Sequence, residues 1–277
     1  MVNGLRRTYR PEMTPRLRAL ASAVVLLLPL TAVTAPASSS APPPTSYDVL
    51  GDSYGSGFGV PPYGACGRSQ SAYGVLVDGR VRLELDDFVA CGGATTTSLV
   101  AGGQLAALDA DTDLVLQSIG GNDIGWSQAV LACLAGTDEQ CAGAAALVRS
   151  RIATTLPGRL DTVHGLVAAA APNARVVVTG YPRLFSPEAG AYLGASAAEQ
   201  EVLNDGADQL NAALRAAAER HGFDFVDVTE RFVGHGVNAA DPWILGAADP
   251  GAFHPTLAGY EAYAAAVTAA IRPGRQR

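Results

Sequence analysis

A serine stands where a short apolar run near residue 50 comes to an end. Val49 and Leu50 are followed directly by Gly51-Asp52-Ser53, a composition that indicates a strand stopping at a tight turn. Ligands of open α/β sheets bind outside the carboxyl ends of the strands, so Ser53 is placed to meet a substrate. A serine there can act as a nucleophile if a base removes its proton. An ordinary strand-to-loop turn has the same composition.

A base for this serine is expected among the four histidines of the chain. His164 and His221 lie in predicted helices, where a surface or packing role is expected, and His235 lies in a glycine-rich loop. His254 comes directly before the last predicted helix, and Pro255 is expected at the first position of that helix. His254 can therefore project into a cleft as a general base. The alternative is a residue that only caps the helix.

Two further strand-end turns could supply donors for a developing oxyanion. The side-chain amide of Asn122, in Gly120-Gly121-Asn122-Asp123, can donate without becoming charged, and Gly93 can present a backbone N–H beside it. A plain turn is the alternative for both segments. A phosphate-binding loop is excluded because the glycine-lysine signature is missing. We expect neither a metal nor a cofactor.

The elements that must position these residues alternate between strands and helices. Helices are predicted over 72–81, 104–108, 127–132, 139–171, 195–220 and 255–271, and strands over 47–50, 87–91, 114–119, 174–179 and 223–228. Such alternation indicates parallel βαβ units with helices on both faces of one sheet. We therefore predict the α/β class, as a three-layer α/β/α sandwich with a central parallel sheet of about five strands.

The amino-terminal segment has the features of an export signal. Five arginines precede the apolar stretch 19–33, and Ala35-Pro36-Ala37 offers a cleavage site. We predict a signal peptide over 1–37, a Pro/Ser-rich linker over 38–46 and one folded domain over 47–277, in a secreted, extracellular protein. A retained membrane anchor is disfavoured because the apolar stretch is short. Met13 is an alternative start.

Charge limits the partners of the exported protein. The chain has 277 residues and contains no lysine, and its formal charge is −7. Loss of residues 1–37 removes five arginines and one glutamate, which changes that charge to −11. Nucleic acids and anionic membranes are therefore disfavoured as electrostatic partners. We expect a small-molecule substrate that is neutral or zwitterionic, no integral membrane association, and a monomer.

The four cysteines all follow the export signal, in the part of the chain that meets an oxidising compartment. Three connectivities are possible. We favour the sequential pairs Cys66–Cys91 and Cys133–Cys141, since they close short loops. A metal site is the alternative, but the Cys-x-x-Cys spacing and a nearby histidine are missing.

Taken together, these motifs resemble the SGNH (GDSL) hydrolase superfamily. Four motifs follow one another in that family's order: the turn around Ser53, Gly93, Gly120-Gly121-Asn122-Asp123 and His254. The segments 91–95 and 253–256 are similar to the family's secreted actinobacterial lipase and esterase branch. The resemblance implies a flavodoxin-like fold and hydrolysis of acyl esters through an acyl-enzyme. It assigns Ser53 as nucleophile, His254 as base, and the oxyanion hole to Ser53, Gly93 and Asn122. It also implies the two sequential disulfides.

The chain departs from this family in two places. The family's usual aspartate, three residues before the histidine, is replaced by Gly251, and Asp249 lies five residues before it. We therefore predict a Ser53–His254 dyad whose imidazole is oriented by the Gly251 carbonyl, with Asp249 as second choice. A third disulfide of many relatives is missing before residue 241, so we expect greater mobility in that loop.

The leading functional hypothesis is a secreted serine esterase that cleaves lipid-like acyl esters. The apolar segments 60–63 and 243–244 favour an acyl chain over a sugar. A carbohydrate acetylesterase on the same fold is the main alternative. A non-catalytic binding protein is disfavoured because the serine, the asparagine and the histidine are all present.

Overall fold

A computed structural model describes residues 43–271 of the chain. Its centre is one parallel sheet of five strands in the order β2-β1-β3-β4-β5. The strands are β1 Thr45–Gly51, β2 Leu83–Phe88, β3 Leu114–Ser118, β4 Arg175–Thr179 and β5 Asp224–Val226. The predicted α/β class and the five-stranded parallel sheet are confirmed.

Helices cover both faces of this sheet. Within the described range, α2 packs against α8, and α3 to α7 form a second packed group. The helices are α1 Ser53–Ser56, α2 Tyr73–Leu76, α3 Thr96–Ala101, α4 Trp126–Ala135, α5 Asp138–Thr154, α6 Leu156–Ala170, α7 Ala197–Arg220 and α8 Leu257–Ile271. Short 3₁₀ turns lie at Ala65–Gly67, Arg80–Arg82, Gln104–Ala107, Asn122–Ile124, Pro187–Ala189 and Thr229–Phe232. None of the helices in 43–271 combines the length and apolar character needed to cross a bilayer.

The inner strands β3 and β4 consist mostly of apolar residues that are buried on both faces. All five residues of β3 are buried, as are four of the five in β4, which suits a strand covered by helices on each side. The register pairs Gly51 of β1 with Ser118 of β3, so the two strands end at the same level. The turns that follow them therefore meet at one edge of the sheet.

The edge strands differ from the predicted boundaries. β2 covers Leu83–Phe88, not 87–91, because the N–H groups of Val89 and Ala90 both donate to the Val49 carbonyl, at 3.0 and 3.1 Å. That shared acceptor ends the regular ladder. β5 is shorter than 223–228, and β1 begins at Thr45, inside the segment predicted as linker.

The last helix begins at Leu257, and the prediction that Pro255 is its first residue is wrong. Pro255 instead forms an isolated antiparallel bridge with Ile244. The hydroxyl of Thr256 accepts from the Gly259 N–H at 3.3 Å, so a threonine caps the helix. His254 consequently lies in a loop held by the bridge, two residues before the helix cap.

Other predicted helices also change in extent. Only Tyr73–Leu76 of the segment 72–81 is α-helical, and 104–108 is a 3₁₀ turn. The predicted helix 139–171 is two helices that meet at Thr155, with Pro157 as the second residue of α6. Proline is tolerated in a first helical turn, where its missing N–H has no intrahelical partner.

The loop without the third disulfide is held by stacked rings. His235 lies parallel to Trp243 with 3.7 Å between ring centroids, and its Nδ1 lies 2.8 Å from the Asp241 carbonyl oxygen.

Disulfides join Cys66 to Cys91 and Cys133 to Cys141, which are the two sequential pairs. The predicted export signal and most of the predicted linker lie outside the described residues.

His164 is fully buried in α6, where neither ring nitrogen has a hydrogen-bond partner among the described residues. Burial lowers the pKa of His164 from 6.5 to about 4. The nearby His221 and Arg220 act in the same direction, and Asp161 opposes them. Protonation of this histidine is therefore linked to unfolding.

We predict that the free energy of unfolding falls as the pH drops from 6.5 towards 4. In this range His164 binds a proton in the unfolded chain but stays unprotonated in the folded protein. The loss from this group should reach about 3 kcal/mol below pH 4. Urea unfolding at pH 7.5 and pH 5 should show a smaller loss in His164→Phe than in the wild type. The control His235→Gln should keep the wild-type loss. Equal losses in all three proteins would contradict the assignment.

Candidate active site

The serine turn depends on a close approach between β1 and β3. Gly51 has a φ of +140°, and a Cβ at this position would collide with the Ser118 carbonyl oxygen. The Asp52 N–H donates to that oxygen at 2.9 Å. The Asp52 carboxylate then accepts from the Tyr54 N–H at 3.0 Å, which caps α1. Ser53 becomes the first residue of α1, where its N–H has no acceptor within the helix.

Ser53 and His254, 201 positions apart in the chain, are in direct contact. Ser53 Oγ lies 2.7 Å from His254 Nε2, while Nδ1 lies 3.2 Å from the Gly251 carbonyl oxygen and 3.0 Å from that of Ala252. Carbonyl oxygens only accept, so Nδ1 carries the proton and Nε2 is left to accept from the serine hydroxyl. The carboxylate of Asp249 accepts instead from the Gly246 N–H, at 2.8 Å.

Burial lowers the pKa of His254 below its usual 6.5, and the hydrogen bonds to the Ala252 and Gly251 carbonyls act in the opposite direction. The ring is therefore neutral near pH 7. A neutral imidazole in contact with a hydroxyl can accept its proton.

Aromatic side chains hold the histidine loop against the serine turn. The Phe58 ring meets His254 edge-on, with 5.0 Å between ring centroids, and the Tyr54 ring lies 5.2 Å away. The Tyr54 hydroxyl donates to the Phe253 carbonyl at 2.6 Å, and Phe253 has a φ of +63°, which is rare outside glycine. This hydrogen bond spans the two loops and fixes the backbone next to His254.

Gly93 and Asn122 border the same pocket as Ser53 and His254. Gly93 has a φ of +77°, and a Cβ there would meet open space, so its backbone conformation accounts for the glycine. One amide hydrogen of Asn122 is used by the Ala94 carbonyl, at 2.9 Å. The second remains available to a ligand, since a side-chain amide carries two donors. All four residues singled out from the sequence thus lie around one space.

A pair that the sequence analysis missed lies beneath this space. The hydroxyl of Tyr181 donates to Asp52 at 2.5 Å and accepts from the Gly121 N–H at 3.2 Å. Burial raises the pKa of Asp52 to about 6, and the hydrogen bond from Tyr181 lowers it. Tyr181 thereby joins the turn before Ser53 to the turn before Asn122. Its position directly after β4, in Gly180-Tyr181-Pro182, is the signal that could have identified it.

The pocket has a volume of about 670 Å³ and walls that are mainly apolar. Much of its apolar wall comes from α4, α7 and the loop after β4, through Trp126, Val130, Leu134, Leu184, Ala207 and Leu210. Among the described residues that line it, Asp52 is the only one with an acidic side chain, and none is an arginine. Residues 43–271 contain no cluster of histidine, cysteine, aspartate or glutamate suited to a metal ion.

A serine in contact with a histidine beside an apolar pocket, at the carboxyl ends of the strands of an α/β/α sandwich, is an arrangement suited to ester hydrolysis. A model of the GDSL-like lipase/acylhydrolase family matches residues 49–262. "Lipase 1" of Streptomyces coelicolor is 37% identical over 240 residues, which cover 82% of this chain and 88% of that protein.

Two solved structures are also similar. The extracellular lipase of Streptomyces rimosus superposes with a TM-score of 0.77 at 35% identity, and phospholipase A1 of Streptomyces albidoflavus superposes with 0.73 at 33%. Each comparison covers 82% of this chain and 99% of the other. The chain belongs to the GDSL-like lipase/acylhydrolase family, in the actinobacterial lipase branch of the SGNH hydrolases, and is a carboxylic ester hydrolase.

We predict that Tyr181→Phe lowers kcat on p-nitrophenyl butyrate about tenfold with little change in KM, because the two turns lose the bridging hydroxyl. Thermal unfolding should also show that the free energy of unfolding falls by about 1.5–3 kcal/mol, the usual contribution of a hydrogen bond to a charged group. Tyr263→Phe is the matched control, since this buried hydroxyl donates to the Gly180 carbonyl at 2.8 Å. It should lower stability and spare kcat. The same kcat loss in both variants would show that Tyr181 acts through stability alone.

Proposed function

We propose that the protein is a secreted serine esterase that cleaves lipid-like acyl esters through an acyl-enzyme on Ser53, with His254 as the base. One observation carries the proposal: the 2.7 Å contact between Ser53 Oγ and His254 Nε2 opens directly onto a large apolar pocket. The proposed oxyanion hole consists of the Ser53 and Gly93 N–H groups and the Asn122 amide. No cofactor takes part in this scheme.

In the first half-reaction, Ser53 Oγ attacks the ester carbonyl carbon while His254 Nε2 takes the hydroxyl proton. The negative charge that develops on the carbonyl oxygen is held by the three donors of the oxyanion hole. When the tetrahedral intermediate collapses, the bond to the alcohol breaks and His254 returns the proton to the leaving oxygen. The acyl group remains on Ser53, and the neutral alcohol leaves.

In the second half-reaction, water replaces the alcohol. His254 takes a proton from the water as the oxygen attacks the acyl carbon, and the same three donors hold the oxyanion. Collapse then breaks the bond to Ser53 Oγ, which recovers the proton from His254, and the carboxylic acid leaves. The carbonyls of Gly251 and Ala252 keep Nδ1 protonated throughout, which preserves the tautomer that the reaction needs.

The pocket supports an acyl chain as the group bound beside Ser53. Its apolar wall can bury a hydrocarbon chain, and burial of apolar area is favourable by about 25 cal/mol per Å². An acetyl group would leave most of the 670 Å³ unfilled. A carbohydrate acetylesterase is therefore the weaker alternative, and the structural relative described as a phospholipase A1 is consistent with a lipid ester.

Export is part of the proposal. The predicted signal over 1–37 and the two disulfides of the described chain both suit a protein that folds in an oxidising compartment. The structural relative described as an extracellular lipase supports the same location.

We predict that p-nitrophenyl esters of increasing chain length are hydrolysed with kcat/KM peaking beyond butyrate, and that Ser53→Ala lowers every rate at least about a thousandfold. Ala207→Leu should move the peak to shorter chains, because Ala207 is buried in the pocket wall on α7. Ala216→Leu, on an exposed position of the same helix, is the control and should leave the peak in place. A peak at acetate would favour the acetylesterase.

We predict that Asp249→Asn changes kcat/KM by no more than about twofold, because carbonyl oxygens, not this carboxylate, contact His254 Nδ1. The substituted amide keeps an oxygen that can accept from Gly246. The acidic limb of the pH profile should lie below pH 6.5 in both proteins, since burial lowers the pKa of His254 and the base acts unprotonated. A hundredfold loss at unchanged melting temperature would assign the orienting role to Asp249.

A further inference from the structure

The rim of the pocket carries two leucines that are largely exposed to solvent. Leu131 on α4 and Leu193 in the turn before α7 are 66% and 67% exposed, the highest values among large apolar side chains of the described residues. Both border the pocket that contains Ser53 and His254. Single exposed leucines are common, but two at the mouth of an apolar pocket extend its apolar surface to the outside of the molecule.

The backbone holds these leucines in place. Leu193 has a φ of +52°, in a turn closed by an antiparallel bridge between Tyr192 and Ala195. The Gly194 N–H donates to the Leu134 carbonyl at 3.0 Å, which attaches the turn to the end of α4, one helical turn beyond Leu131. We call Leu131, Leu193 and the backbone that joins them the apolar lip.

The lip is anchored on both sides. The Cys133–Cys141 disulfide ties the end of α4 to α5. On the other side, the Tyr192 hydroxyl accepts from the Ala247 N–H at 2.9 Å, which links the turn to the loop that leads to His254. The outward position of the leucines is therefore built into the scaffold around the site.

The charge around the lip selects the surface that it can meet. Neither α4, Trp126–Ala135, nor the segment 191–195 contains a charged residue. The chain as a whole is acidic and contains no lysine, so an anionic surface would be repelled. An uncharged lip on an acidic protein suits a surface whose headgroups are neutral or zwitterionic.

We infer that the apolar lip docks the enzyme on aggregates of neutral or zwitterionic lipid, with Leu131 and Leu193 inserted among the acyl chains. An ester lifted from the aggregate then enters the pocket between them without crossing water. Burial of exposed leucine against hydrocarbon is the driving force, so binding should not depend on salt. The inference rests on the proposed function, because it assigns the source of the substrate for that site.

The test compares Leu131→Ser/Leu193→Ser with the control Leu147→Ser/Val233→Ser. The control residues are 51% and 63% exposed and lie outside the pocket. Each protein is assayed on phosphatidylcholine vesicles and on soluble p-nitrophenyl butyrate. Removal of two inserted leucines should lower the ratio of vesicle to soluble kcat/KM roughly tenfold to a hundredfold. The control should keep the wild-type ratio.

Binding is measured separately by co-sedimentation in the Ser53→Ala background, so that the vesicles are not degraded. Binding to phosphatidylcholine should persist at high salt, should weaken when phosphatidylglycerol is added, and should disappear with the lip variant. Retained binding in that variant, or an equal fall in both assays, would overturn the inference. Absence of any ester hydrolysis by the wild type would count against the proposed function, while the binding assay would still decide on the lip.

Discussion

The close approach of β1 to β3 at their carboxyl ends is the constraint on which the site depends. Gly51 lies so near the Ser118 carbonyl that no side chain fits between the strands, and the Asp52 N–H continues the contact with one more hydrogen bond. The chain can therefore turn at once into α1, so that Ser53 emerges level with the turn before Asn122. Any larger residue at position 51 would push the turn that carries Ser53 away from the end of β3 and the turn that carries Asn122.

A buried carboxylate is the consequence of this tight turn. Asp52 is 1% exposed, and burial raises its pKa to about 6, so its charged form is held in unfavourable surroundings at neutral pH. The N–H of Tyr54 and the hydroxyls of Ser118 and Tyr181 compensate by donating to it. The same hydrogen bonds link the ends of β1, β3 and β4. A polar group that is costly to bury thus connects the three strand ends that carry the site.

Neutral carbonyls contact Nδ1 of His254, and such partners have two opposing effects on a histidine that acts as a base, as we propose for this one. The Gly251 and Ala252 carbonyls select the tautomer with a free Nε2, as a carboxylate would, but they stabilise a protonated ring less. Burial adds to this by lowering the pKa of His254. The ring is thus kept neutral, and in the proposed mechanism the imidazolium formed during attack would depend more on the nearby oxyanion. The rings of Phe58 and Tyr54 pack against the imidazole and add to the contacts that hold it in this orientation.

Local patterns by themselves determined the inner strands, the fold class and the candidates Ser53, Gly93, Asn122 and His254. Buried strands are mostly apolar runs, the turns after them contain glycine and polar residues, and the histidine directly precedes a predicted helix. Tertiary structure decided the bounds of the edge strand β2, the cap at Thr256 and the bridge of Pro255 to Ile244. It also decided the contact of Tyr181 with Asp52 and the lip of Leu131 and Leu193, which join segments far apart in the chain. Strand order and helix packing bring such residues together, and the spacing of neighbouring residues in the sequence predicts neither of them.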